Sequence, residues 1–252
     1  MKIIKNLIFF SILILSFTQA QNHSLFTEIL QDYVSNGKVN YKELKDDGRL
    51  TEYLKILSKT DPDTISDKQN LLSFWINAYN AFTLKVICDN YPLESINDLH
   101  SGGLIIGTVL GTTVWDDDFI VINGKTITLN EIEHDIIRPE FAEPRAHFAL
   151  VCASKSCPPL RPEAYQGDIL NQQLDDQGKI FLGNELKNRF DAENKTVYIS
   201  KIFSWFDDDF GDDDNEILAF IYKFLPDSFK AENPDLTDWE IEHLDYNWSL
   251  NE

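Results

Sequence analysis

Leu71-Leu72-Ser73-Phe74-Trp75-Ile76-Asn77-Ala78-Tyr79-Asn80-Ala81-Phe82-Thr83-Leu84-Lys85-Val86-Ile87-Cys88 is apolar on almost every side of a helical projection. That pattern belongs to a helix buried in a core rather than laid on a surface. Its polar residues fall at Ser73, Asn77, Asn80 and Thr83, steps of four, three and three, so they share one stripe and none is charged. A buried amide left without partners costs about 1–3 kcal/mol. The stripe therefore has one of two uses. It ties down neighbouring backbone, or it lines a cleft and orients a substrate amide or a catalytic imidazole.

Outward from this helix the remaining elements read more simply. Ser66 with Gln69 forms a capping box at its start. Phe26, Ile29, Leu30 and Tyr33 recur at helical spacing until Asn36-Gly37, and Leu50 to Leu57 repeats the pattern. Alternating segments around Asn123-Gly124 predict a hairpin. Thr128 with Glu131 is a second capping box, opening a helix that Pro139 is expected to stop. Ala146 to Ala153 predicts a buried strand, Glu163 to Asn188 a helix, Thr196 to Ser200 a strand and Asn215 to Phe224 a helix. A final extended segment is expected from Trp239 to Trp248. Helices and hairpin strands mix without a regular βαβ alternation. The expected class is α+β, a single domain whose mainly antiparallel sheet packs against several helices with the 71–88 helix at the centre. No repeat, low-complexity tract or linker divides the chain, and the Gly- and Thr-rich stretch from Ser101 to Thr113 reads as a loop or flap.

The N-terminus has the form of a secretory signal peptide. Lys2 and Lys5 precede an apolar run from Leu7 to Phe17, and Thr18-Gln19-Ala20 offers a cleavage site. The division expected is a signal over residues 1–20 and one globular domain over 21–252, secreted or periplasmic and free of the membrane once cleaved near Ala20. The run is shorter than the ~20 residues a spanning helix needs. Of 252 residues, 22 are basic and 42 acidic, a net charge of −20 that becomes −22 without Lys2 and Lys5. That field repels phosphate backbones and anionic lipid, which argues against nucleic acid as a partner. At 43% hydrophobic and 12% aromatic the chain has ample material for a core.

Chemistry concentrates in Arg145-Ala146-His147-Phe148-Ala149-Leu150-Val151-Cys152-Ala153-Ser154-Lys155-Ser156-Cys157-Pro158-Pro159, a His-bearing apolar run entering a loop of hydroxyls and thiols. On an uninterrupted strand His147 and Cys152 point to opposite faces. Cys157 and Ser154 lie beyond the strand, where alternation no longer binds them. In an oxidising compartment Cys152 and Cys157 are close enough in sequence to bridge, leaving Cys88 over. Glu131, His134 and Arg138 share a helix face. No paired metal-ligand spacing occurs, so no metal and no cofactor is expected. The acidic run around Asp207–Asp209 fails the calcium-loop pattern, because Phe206 stands where its first Asp would be.

Phe74-Trp75-Ile76-Asn77-Ala78-Tyr79-Asn80-Ala81, Leu129-Asn130-Glu131-Ile132-Glu133-His134 and the stretch from Arg145 through Pro159, in that order, resemble the Domain of Unknown Function 547 family. Tyr33 to Tyr41 and Ile202-Phe203-Ser204-Trp205-Phe206 fit the same resemblance, which extends roughly over residues 25–247. Members occur as secreted bacterial proteins and within larger eukaryotic chains, so the resemblance implies a domain more than an activity. It implies a signature comprising Asn77, Asn80, Glu133, His134, Arg138, Arg145, His147, Cys152, Ser154 and Cys157. A more distant likeness is to papain-like and transglutaminase-like folds, in which the buried helix begins with the nucleophilic Cys. Here that region carries Asn77 and no thiol.

Two functions follow as expectations. One is an exported domain that binds a small-molecule or peptide-like ligand in a cleft lined by Asn77, Asn80 and His147, with Glu133, His134, Arg138, Arg145 and Ser154 contributing contacts. The other is a hydrolase or acyl transferase in which His147 is the base, Cys157 or Cys152 the nucleophile, and Asn77 or Asn80 an orienting group.

Overall fold

The computed structural model describes residues 22–99 and 113–252. The signal segment and nearly all of the 101–113 loop lie outside the described residues. The chain begins with α1 (Ser24–Tyr33), the short hairpin β1 (Val34–Ser35) and β2 (Lys38–Val39), α2 (Tyr41–Leu44) and α3 (Gly48–Lys59). Asn36 and Gly37 turn this hairpin with φ of 51° and 76°. Both are left-handed, a conformation Asn and Gly adopt most cheaply. A side chain at Gly37 would also collide with Pro159, which holds the thiol-rich loop against the hairpin.

α4 (Lys68–Asn90) is the central helix, and every residue from Leu72 to Leu84 is buried. Its cap is Asp67 rather than Ser66, accepting a hydrogen bond from the Asn70 amide. α3 and a turn at Gly167–Ile169 pack against it. The hairpin β3 (Ile120–Ile122) and β4 (Lys125–Ile127) turns at Asn123-Gly124 as expected. The Thr128–Glu131 box closes in both directions, at 2.7 and 3.0 Å. It opens a π-helical segment, Glu131–Ile137, that runs on into α5 (Arg138–Phe141). Pro139 does not stop it. Proline is tolerated in the first turn of α5, and the helix ends instead at Ala142, left-handed with φ 47°.

The predicted strand over 146–153 is absent, and a 3₁₀ turn, Pro144–Phe148, leads into irregular chain. Pro144 fits the start of that turn, and Glu143 caps it by accepting from the Arg145 amide. The pairing a strand would have sought comes from a side chain. Asn80 donates to the Ala149 carbonyl at 2.9 Å and accepts from the Val151 amide at 2.9 Å. An apolar run of this length fits a buried loop as well as a strand once its backbone is satisfied.

The remaining elements are α6 (Leu170–Leu182), β5 (Arg189–Asp191), β6 (Thr196–Ile199), α7 (Ile202–Trp205), α8 (Asp207–Phe210), α9 (Asp214–Tyr222), α10 (Asp227–Glu232) and β7 (Glu240–His243). α6 is shorter than the predicted 163–188 helix. β5 pairs antiparallel and β7 parallel with β6. The protein is a single α+β domain, and among the described residues its sheet is divided into small pieces, two of them hairpins.

Among the described residues the buried side chains form two clusters. One surrounds α4, and the other gathers Phe148, Phe181, Phe203, Phe210, Phe220 and Phe224. Phe148 is fully buried, with five of these rings 5.5–6.1 Å from its own. Its neighbour Ala146 belongs to the α4 cluster, so the 3₁₀ turn joins the two cores, with His147 between them.

Candidate active-site cleft

A cleft of about 170 Å³ opens where the π-helical segment, the 147–157 chain, α7 and the C-terminal segment meet. Glu133, His134, His147, Cys152 and Cys157 line it together with Tyr79. Aromatic rings form its other walls. Trp205 lies 4.7 Å from Tyr246 and 5.7 Å from Trp248, and Trp115 lies 6.0 Å from Trp248.

Cys152 stands in a ring of hydrogen-bonding groups. Its sulfur is 3.2 Å from Ser154 Oγ, 3.2 Å from Tyr246 Oη and 2.8 Å from Cys157 Sγ. Burial alone would push this thiol up. The Cys157, Ser154 and Tyr246 groups favour the thiolate and outweigh burial, bringing Cys152 down to about 7. Cys157 moves the opposite way, first through burial and then through the negative charge beside it. Ala153 between Cys152 and Ser154 has φ 59°. A left-handed alanine costs about 1–2 kcal/mol. The surrounding bonds hold it there, as the Asn251 amide donates to the Ala153 carbonyl at 3.0 Å and the Lys155 amide to the Ser249 carbonyl at 2.8 Å.

His147 is held from another side. Its Nε2 meets Asp209 Oδ2 at 2.7 Å, its Nδ1 faces Glu133 Oε1 at 3.7 Å, and its ring stacks on Phe206 at 4.1 Å. Burial opposes charge on this ring. The hydrogen bonds and charges of Asp209 and Glu133 prevail and raise its pKa above the ordinary 6.5. The His147 hydrogen bond, joined by that of Arg138, holds Asp209 well below the usual carboxylate range. Arg138 grips Asp209 through Nε at 2.5 Å and Nη2 at 3.1 Å, and its Nη1 donates to His134 Nδ1 at 3.0 Å. The π-helical winding delivers Glu133 and His134 to the cleft together. Such wide turns are frequent at functional sites.

The predicted site residues therefore divide. Glu133, His134, His147, Cys152 and Cys157 meet at one cleft, with Ser154 against the Cys152 sulfur and Arg138 behind Asp209. The absence of a strand removes the objection that His147 and Cys152 face opposite ways. No hydrogen bond joins the His147 ring to either sulfur among the described residues. Asn77 and Asn80 do not line the cleft. Asn77 donates to the Tyr165 carbonyl at 2.8 Å and accepts from the Tyr165 amide at 2.9 Å, and Asn80 serves the Ala149–Val151 backbone in the same way. With both ends of each amide engaged, neither is left to orient an imidazole. Arg145 is bound to Glu143, Asp175 and Asn171, apart from the cleft. Asp209, Tyr79, Tyr246 and the tryptophans join the site without a signal in the sequence. Asp209 was hidden in an acidic run, and Tyr246 reaches Cys152 across 94 positions.

Residues 62–182 match the model of a family described as Protein of unknown function, DUF547. The arrangement is thus a helix-centred α+β domain with a thiol- and imidazole-lined cleft. The matched residues, just under half of the chain, include α4, the π-helical segment and both cleft cysteines. No curated protein and no solved structure matches the chain.

Proposed function

We propose that the cleft is a thiol-dependent hydrolase or acyl-transferase site taking a small or peptide-like substrate, with Cys152 as nucleophile. The observation that carries this reading is the Cys152 sulfur, ringed by three hydrogen-bonding groups in a cleft shared with an Asp209-anchored imidazole. The Cys152 thiolate attacks a carbonyl carbon. The resulting thioester forms as the His147 imidazolium gives its proton to the departing amine or alcohol. His147 then takes a proton from water, whose oxygen attacks the thioester and restores the thiolate. Asp209 keeps the ring in one orientation, the part the third member plays in nucleophile–base–orienter sets. The aromatic walls supply contact area for the substrate.

An activated ester such as p-nitrophenyl acetate tests this. Wild-type protein is expected to release a stoichiometric burst of p-nitrophenolate with the acetyl group on Cys152 by mass spectrometry. Cys152→Ala abolishes the burst, whereas His147→Ala keeps it and loses later turnover. Hydrolysis unchanged in Cys152→Ala overturns the proposal. A second reading, ligand binding without turnover, is favoured by one observation, that both His147 nitrogens face carboxylates. It predicts a ligand recovered unchanged after long incubation.

The protein acts outside the cytoplasm on this proposal, because residues 1–20 have the composition of an export signal. N-terminal sequencing of the protein from the periplasm or medium is expected to begin near Gln21. Recovery only as uncleaved chain in the membrane fraction overturns that assignment.

A further inference from the structure

The two cleft cysteines are unequal in a way acyl transfer does not require. The loop from Cys152 to Cys157 folds back on itself, with the Cys157 amide donating to the Ser154 carbonyl at 3.2 Å and the Cys152 amide to Cys157 Sγ at 2.8 Å. Both are free thiols, and their sulfurs are 2.8 Å apart, against about 2.05 Å in a disulfide. Cys152 is partly exposed at the cleft, while Cys157 lies buried behind it. The Lys187 ammonium donates to the Cys157 carbonyl, which brings a cation beside the pair. Cys88, the third thiol, is buried near the far end of α4.

We infer that Cys152 and Cys157 form a two-cysteine redox site that undergoes thiol–disulfide exchange with small disulfides, Cys152 attacking and Cys157 resolving. In the first step the Cys152 thiolate attacks one sulfur of the disulfide, whose S–S bond breaks. The departing thiolate takes up a proton and leaves as a thiol. Cys152, now in a mixed disulfide, no longer carries negative charge, so one of the causes that hold the proton on Cys157 is removed. Cys157 loses that proton and attacks Cys152 Sγ, and the second thiolate departs carrying the proton. The small disulfide is reduced to two thiols while the two protein thiols become one disulfide. The exchange does not depend on the acyl-transfer reading. If that reading holds, the same bridge removes its nucleophile.

The test equilibrates the mature protein in glutathione buffers of rising disulfide content, quenches with acid and counts free thiols by alkylation and peptide mapping. Wild-type protein is expected to lose Cys152 and Cys157 together, with Cys88 still free and no lasting glutathione adduct. Cys157→Ser accumulates one glutathione on Cys152, and Cys152→Ser accumulates none on Cys157. Three free thiols in wild-type protein at every ratio overturn the inference, as does a glutathione adduct confined to Cys157 in Cys152→Ser. The wild-type titration stands even if a variant fails to fold. A failed ester burst alongside normal bridge formation sinks only the acyl-transfer proposal.

Discussion

Tyr246 shows how one hydroxyl can set the chemistry of a distant residue. Its Oη lies 3.2 Å from both Cys152 Sγ and Ser154 Oγ, so it contributes a donor to the thiolate in a site where burial alone would keep the proton on sulfur. A hydrogen bond to a charged group is worth about 1.5–3 kcal/mol, or one to two pKa units. Tyr246→Phe is therefore expected to raise the Cys152 pKa by about one unit and slow iodoacetamide alkylation at pH 7 several-fold. In the unaltered protein that rate is expected to climb with pH through about 7 and then level. Superimposable rate–pH profiles for the two proteins would show that the tyrosine does not tune the thiol.

At the scale of elements, α4 acts as a peg on which two irregular segments hang. Asn80 satisfies a carbonyl and an amide of the 149–151 chain, and Asn77 does the same for Tyr165. Asn80→Ala leaves two buried backbone groups unpaired, so a loss of about 2–6 kcal/mol is expected in urea unfolding, at about 1–3 for each group. Asn80→Ala within 0.5 kcal/mol of wild type would contradict this role. The stripe itself was legible, because steps of three and four place polar residues on one face whatever the fold. Its partners were not, since an apolar sequence does not announce that its backbone will be paired by a side chain some 70 residues away. The same gap explains the misread strand at 146–153, where burial was read correctly and geometry was not. The capping box at Thr128 and the turn at Asn123-Gly124 came through because their chemistry is complete within four residues. His147, Cys152 and Cys157 were visible as reactive types. Asp209 looked like one more carboxylate in a solvated run, and its importance comes only from His147 and Arg138 beside it.

For the molecule as a whole, buried histidines make stability depend on pH in opposite senses. His23 is buried with Nδ1 2.6 Å from Tyr53 Oη, and burial lowers its pKa to about 4. Its folded-state pKa lies below the unfolded value of 6.5, so its contribution is complete above 6.5 and lost as pH falls toward 4. The raised His147 contributes fully below 6.5 and loses that contribution as pH rises through its folded pKa. Asp47, lowered to about 2 chiefly by its Arg49 hydrogen bonds, stabilises above about 4 and stops doing so in stronger acid. The expected result is a decline in unfolding free energy from pH 6.5 to 4, on the order of 3 kcal/mol from His23 alone. His23→Gln keeps a partner for Tyr53 without the titration and should flatten that limb in calorimetric scans. An equally steep limb in the variant would assign the decline elsewhere.

The pinning of the thiol loop by residues 246–251 also fixes an order of events. Cys152 emerges from a ribosome 94 residues before Tyr246. Until that later stretch arrives, the loop lacks the bonds from Asn251 and to Ser249 that brace Ala153, and the thiol lacks one of its donors. The Cys152 sulfur is thus without these partners while the chain up to Asp245 is being made. It gains those partners only once residues 246–251 have joined the fold.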